Sequence, residues 1–308
     1  LALSDFSSLF SRSFLIGFLA APLAGLFVLS QALTDDWLPD GYRQATSSTQ
    51  VIIVGAGGVF VALLLSGLQH PLTRLLEGYP LARARKLPVL GKLYAWRLRH
   101  WQQVFDRLAA ALDGPAGPDR TAAARRLHTC FPARRDLLLP TEFGNVLRAF
   151  ETHPRLRYGL DGIAIWPRVA MLFNDTEKAE VEEASADVQF FTNLMVVTVL
   201  AGLLLAVDAH ADGAGHGALY VAIGLAGTAA LSAIWWRAAI SAARRWGSPV
   251  RAAFDLHRLE LYERLGVKTP QTAAEEQVVG TAVNRLLMFA EPLPDACRAP
   301  APPKEEPD

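Results

Sequence analysis

Four stretches of the chain carry side chains whose types and spacing could support chemistry. VDAHADGAGHGA (207–218) places Asp208, His210, Asp212 and His216 in one glycine-rich segment, and imidazole with carboxylate is a ligand set that suits a transition metal. The plainer reading is a solvated hairpin. Residues 147–168, LRAFETHPRLRYGLDGIAIWPR, hold Arg148, Arg155, Arg157 and Arg168 beside Glu151, Tyr158 and Asp161. Guanidinium forks match phosphate and carboxylate, so these arginines form a candidate anion or nucleotide-signal site. An internal salt-bridge network is the alternative. NDTEKAEVEEASAD (174–187) has six acids against one lysine; Glu180, Glu183 and Asp187 would concentrate cations or bind a divalent ion, unless they are a solvated face or pair with the basic segment 83–99. His128 lies two residues from Cys130, a spacing at which helical side chains point apart.

No catalytic motif accompanies these groups. G-x-S-x-G, H-E-x-x-H and the P-loop are all missing from the sequence. VIIVGAGGVFVALLLSG (51–67) begins like a dinucleotide-binding turn, but Phe60 replaces the third glycine, and Glu77, in a basic stretch, is the acid nearest the ribose position. No cofactor is therefore expected, and the chain reads as a non-enzyme. The net charge is zero, so nothing points to nucleic acid. Cys130 and Cys297 have no metal-ligand spacing.

The same glycine-rich segment is free of charge, and that turns the reading toward the membrane. About 20 mostly apolar helical residues cross a hydrocarbon core. Segments 15–33, 51–69, 190–207 and 218–236 meet this without one charged residue, and charged residues make up 19% of the chain, below the usual share of about 25%. The expected fold is an all-α integral membrane protein with four transmembrane helices and a mainly helical cytoplasmic domain.

Orientation follows the lysines and arginines. Residues 34–49 carry three aspartates and one arginine, whereas 70–110 hold eight basic residues against two acids, and Arg237, Arg244, Arg245 and Arg251 follow the last span. Both termini are expected in the cytoplasm, in the plasma (inner) membrane, with loops 34–50 and 208–217 outside. Trp37 and Tyr220 suit the outer interface, Trp235 and Trp236 the inner one. Ser30-Gln31-Ala32 has the small-x-small form of a signal-peptide cleavage site, but the apolar run before it is longer than such signals carry.

Small residues repeat every fourth position in three spans: Gly17, Ala21 and Gly25; Gly58, Ala62 and Ser66; Ala222, Ala226 and Ala230. The spacing lines one face for close helix approach, within one bundle or between subunits. Pro22 should bend the first span. No ionisable group sits within a span, and Thr192 and Asn193 are the strongest polar side chains there, which argues against a proton-coupled carrier. A pore would have to form between subunits; a charge placed at Val197 should change conductance if the third span faces it.

The expected division is an N-terminal transmembrane hairpin (1–69), a cytoplasmic helical domain (70–189), a second transmembrane hairpin (190–236), C-terminal cytoplasmic helices (237–291) and a disordered tail (292–308). Within the cytoplasmic part, helices are expected over 93–113 and 121–131 and after Thr141 as N-cap, although Gly144 weakens that helix. Residues 157–169 fit strand or short helix. The acidic run should be a helix continuous with the third span. The stretch 250–266 has Val250, Phe254, Leu261 and Leu265 on one face and ends at Gly266, and Thr272 with Glu275 fits a capping box.

Three stretches carry a resemblance: PLTRLLEGYP (71–80), LPTEFGNVLRAFETHPRLRYGLDGIAIWPR (139–168) and AFDLHRLELYERLGV (253–267). They resemble uncharacterised bacterial four-span integral membrane proteins with two spans, a cytoplasmic domain, two spans and a helical tail. The layout is similar to bestrophin-type anion channels in topology only. The resemblance implies the architecture and no activity. Two functions fit: a homo-oligomeric ion channel or pore with a cytoplasmic gating domain, or a membrane-anchored scaffold or sensor that binds a cytoplasmic protein. The expected partners are the lipid bilayer, further copies of the chain and that cytoplasmic protein.

Overall fold

A computed structural model describes residues 14–33, 37–211 and 217–299. Thirteen α-helices follow one another among the described residues: α1 (Ala20–Ala32), α2 (Asp40–Arg43), α3 (Ser47–Gly67), α4 (Gln69–Glu77), α5 (Tyr79–Arg83), α6 (Pro88–Leu112), α7 (Pro118–Cys130), α8 (Glu142–Glu151), α9 (His153–Tyr158), α10 (Gly162–Ala170), α11 (Asp175–Ala211), α12 (Gly217–Arg264) and α13 (Ala273–Phe289). The described residues form no strand; their β-pairing is one isolated antiparallel bridge, Val267 to Arg298. Four helices are long and apolar enough to cross a membrane: Leu15–Ala32, Ser47–Gly67, Asp175–Ala211 and Ala218–Arg264. The chain forms two compact units, Leu1–Leu75 with Glu182–Ala243, and Leu76–Val181 with Arg244–Asp308.

In the first unit, small residues set how closely the helices approach. α1 is entered through a π-helical turn, Leu15–Leu19, because Pro22 has no N–H for the carbonyl of Phe18 and its ring crowds the preceding turn. Phe18, Leu19, Ala62 and Leu65 form a buried cluster. A Cβ on Gly58 would lie 2.3 Å from Leu23 Cδ2, and one on Gly25 would lie 2.1 Å from Val197 Cγ1. Ala21 and Ala62 are fully buried, whereas Ser66 is half-buried. Asn193, also fully buried, donates through Nδ2 to the carbonyl of Gly17 at 2.7 Å. Thr192 bonds the Val188 carbonyl of its own helix at 2.9 Å. α11 and α12 meet where Thr228 seats on Gly202 and Phe191 stacks on Trp235.

Ala222, Ala226 and Ala230 are exposed. Thr228 is two residues from Ala226, about 200° around a helix of 3.6 residues per turn, so the Thr228 face is covered within the chain and the alanine face is not.

The second unit is built around the apolar face of α8, where Phe143, Val146, Leu147 and Phe150 are buried. Thr141 is its N-cap, accepting from the Gly144 amide at 3.0 Å and donating to the Glu77 carbonyl at 3.0 Å. Gly144 belongs here because a Cβ would meet that same carbonyl at 2.8 Å. The ambiguous stretch resolves as helix α10, capped by Asp161, whose Oδ1 accepts from the Ala164 amide at 3.0 Å. Thr272 caps α13 through the Glu275 amide at 3.1 Å, and Glu275 reaches back to the Gln271 amide at 2.8 Å.

Three expectations are corrected. The last span and the stretch 250–266 are not separate helices; α12 runs through both with Pro249 inside it. A proline removes one hydrogen bond at a cost of about 3 kcal/mol, and burial of Val250, Ala253, Phe254, Leu261 and Tyr262 offsets that loss. Of the loop expected over 208–217, residues 208–211 and Gly217 are helical, and 212–216 lie outside the described residues. Residues 292–299, expected to be disordered, are held in place: Cys297 is 3% exposed, its carbonyl accepts from the Lys268 amide at 2.9 Å, and the Ala299 amide donates to Gly266 at 2.9 Å. Residues 300–308 lie outside the described residues.

The two small-residue faces should behave differently. Gly58→Leu is expected to lower stability in detergent by about 1–3 kcal/mol through overpacking against Leu23. Ala226→Leu should change the stability of an isolated chain by less than about 0.5 kcal/mol. Thermal unfolding of both variants checks this.

Candidate functional site

Ionisable side chains converge in the second unit where α7, α9, α12 and α13 come together. α12 supplies Arg251, Asp255, Arg258 and Tyr262 at positions i, i+4, i+7 and i+11, one stripe along a helix. α9 supplies His153, Arg157 and Tyr158 and ends at Gly159, whose φ of 75° needs a residue without a Cβ. α13 fixes that end of α9. Gln277 Nε2 donates to the Leu156 carbonyl at 2.9 Å, and Asn284 Nδ2 donates to Gly159 at 2.7 Å. Asn284 Oδ1 accepts from the Asp161 amide at 2.8 Å. A Cβ on Gly280 would come within 2.0 Å of the Tyr158 carbonyl, so glycine is what allows this approach.

Asp255 is the carboxylate at the centre. Its Oδ1 accepts from the Tyr158 hydroxyl at 2.6 Å and from His153 Nε2 at 2.9 Å. Burial, reinforced by the Asp255 acceptor, pushes the Tyr158 phenol up to about 12, so Tyr158 stays a donor at neutral pH. Burial pushes the Asp255 carboxyl up, but the bonds from His153 and Tyr158 and the charges of His153 and Arg157 outweigh it and hold the group below its ordinary range.

The arginines divide by partner. Arg258 lies over the Tyr158 ring at 4.2 Å and donates to Glu276 at 2.7 Å. Arg157 is exposed, 5.9 Å from the same ring. Arg251 is 7% exposed and makes no hydrogen bond or ion pair with any described residue. Its Nη1 packs beside Gly247, where an added Cβ would come 3.2 Å from that nitrogen and 2.7 Å from Phe150. His128 stands edge-on to His153 with ring centroids 6.2 Å apart. Its pKa is lowered by burial first, then by Arg251 and His153.

This arrangement concentrates positive charge about one engaged carboxylate. It suits holding an anion or locking helices together. Tyr158 is a poor nucleophile with its proton so firmly held, and the Cys130 thiol is buried beside the Thr129 hydroxyl at 3.3 Å.

Of the four arginines singled out by type, Arg157 alone enters this cluster. Arg148 bonds the Tyr79 hydroxyl and lies over its ring at 5.8 Å. Arg155 is exposed, and Arg168 donates to the Ala164 carbonyl of its own helix at 3.0 Å. Among the metal candidates, Asp208 is buried and His210 exposed, on opposite sides of α11 as two-residue spacing requires. Asp212 and His216 lie outside the described residues, and no group of three His, Cys, Asp or Glu able to hold a metal occurs among the described ones. Glu180 lines an open cleft of about 210 Å³ with Glu177 and His257; Glu183 and Asp187 both have interactions of their own. Sequence reading missed Arg251, Asp255 and Arg258 as a unit, although their repeat along one helix face was a usable signal.

Comparison of the chain with protein-family models, with curated proteins and with solved structures gave no match in any of the three.

Two outcomes follow. His128 has a folded pKa below its ordinary value, so the unfolded chain takes up the proton first and stability falls as pH drops through about 6.5. His128→Gln should flatten that decline in a pH series of unfolding midpoints. Gly280→Ala should cost about 2 kcal/mol or more by driving its methyl into the Tyr158 carbonyl, read by denaturant unfolding.

Proposed function

We propose that the chain is a non-enzymatic four-span integral membrane protein, an anchored sensor or scaffold whose second unit receives a cytoplasmic ligand or partner. The observation that carries this reading is where the polar groups go. Of the polar side chains in the charge-free segments 15–33, 51–69, 190–207 and 218–236, the two that are buried, Thr192 and Asn193, bond backbone: Asn193 Nδ2 the Gly17 carbonyl, Thr192 its own helix. Val197, which would face the lumen if the third span lined a pore, packs against Gly25. The ionisable groups gather instead in the second unit. Exposed Phe27, Ile52, Phe60, Leu203 and Ile223 suit contact with lipid chains. The excess of lysine and arginine over 70–110 and over 237–251 supports cytoplasmic termini in the plasma (inner) membrane.

A second reading, an oligomeric channel conducting between subunits, is favoured by one feature, the uncovered Ala222–Ala226–Ala230 face. Small-residue faces of this kind join helices in membranes.

Purified protein in vesicles decides between the two. The expected results are no ion flux above protein-free vesicles, and labelling of Arg245→Cys by an impermeant thiol reagent only from the cytoplasmic side, in a chain with Cys130 and Cys297 replaced by alanine. Flux that Ala226→Leu abolishes would replace the sensor with the channel.

A further inference from the structure

We propose that the cluster of Arg251, Arg157, His128 and His153 is a binding site for a phosphate-type anion. The argument begins with charge. Arg258 is matched by Glu276 at 2.7 Å, and Arg244 is paired with Glu142. Arg251 is the buried arginine among the described residues, and yet no carboxylate pairs with it. A guanidinium taken out of water without a counter-charge is strongly destabilising. Asp255, the acid within its electrostatic reach, already accepts from Tyr158 and His153 through Oδ1. Arg157 likewise has no ion pair with any described residue.

Two permanent cations and two imidazoles thus share one carboxylate, whose single charge cannot balance both guanidinium groups. Proteins that need only packing at such a place use apolar side chains, whereas two unpaired guanidinium groups leave donor forks for an incoming tetrahedral anion. Exposed Arg157 and His128 stand at the solvent edge while Arg251 lies deeper, its Nη1 buried beside Gly247, so an incoming anion meets Arg157 and His128 first. The ligand is a phosphate group, supplied by a soluble phosphoanion or by a phospholipid headgroup. This names a ligand for the sensor reading and rests on that reading for its biological meaning; the binding itself is measured separately from flux.

The experiment uses the full chain in nanodiscs of zwitterionic lipid, with inorganic phosphate as the probe and thermal unfolding as the readout. A saturable rise in Tm is expected. Arg157→Gln, a surface change that leaves the core intact, should raise the half-saturating phosphate concentration roughly fivefold or more, as loss of a charge-assisted contact implies. Arg251→Gln should abolish the response, with Arg251→Lys restoring part of it. A parallel set of nanodiscs contains anionic phospholipid. If these raise Tm without phosphate, and phosphate adds nothing, the headgroup is the source; if phosphate alone acts, the source is soluble. No rise from either, or the same rise in wild type and Arg157→Gln, would leave an adventitious ion only and overturn the proposal.

Discussion

A single carboxylate oxygen joins two helices of the second unit that lie far apart in sequence. Asp255 Oδ1 accepts from Tyr158 and from His153, tying α9 to α12 across about a hundred residues of chain. Everything else at the site is arranged around those two bonds. α13 holds the end of α9 by Gln277 and Asn284, the Arg258 guanidinium covers the Tyr158 ring, and Glu276 takes the charge of Arg258. Hydrogen bonds to a charged group contribute about 1.5–3 kcal/mol each, enough to matter in a fold of ordinary stability. The single charge of Asp255 then serves both Arg157 and Arg251, which make no ion pair of their own among the described residues.

The first unit obeys a different constraint. In an apolar surrounding every buried polar group needs a partner within the protein; the charge-free helices carry few such groups, and Asn193 Oδ1, Ser232 Oγ and Trp235 Nε1 are buried without a partner among the described residues. Asn193 finds the Gly17 carbonyl because glycines at 17 and 25 let α11 come close to the first helix. The close approach and the polar contact are one feature: a larger residue at position 25 would push Val197 away and open the helix pair. Conduction along this helix face would require undoing that contact, which is why the ionisable centre of the second unit attracts the functional reading.

Local features were legible in the sequence. Charge-free runs marked the four apolar helices, and Thr141, Thr272 and Gly266 marked helix ends through backbone rules that act within four residues. The continuity of α12 from the span through 250–264 was not read from the sequence; with Pro249 inside the helix, it depends on burial of Phe254 and Tyr262, which no local rule sees. The tail misled in the same way, since a proline-rich, charged segment reads as disordered until Cys297 finds a buried place. The arginine site was legible by residue type and not by membership. Arg148, Arg155 and Arg168 sit on different helix faces from Arg157, and the cluster draws Arg251 and Asp255 from a helix whose partner is set by tertiary packing.

The account depends on the Tyr158–Asp255 bond being an energetic link rather than a surface contact, and a double-mutant cycle tests that directly. Tyr158→Phe, Asp255→Asn and the double variant would be unfolded in denaturant, as the full chain in detergent. The predicted result is a coupling energy of about 1 kcal/mol or more, with the double variant less destabilised than the sum of the single ones. Strict additivity would mean that the two side chains act independently, and would contradict the view that one shared oxygen holds the site together.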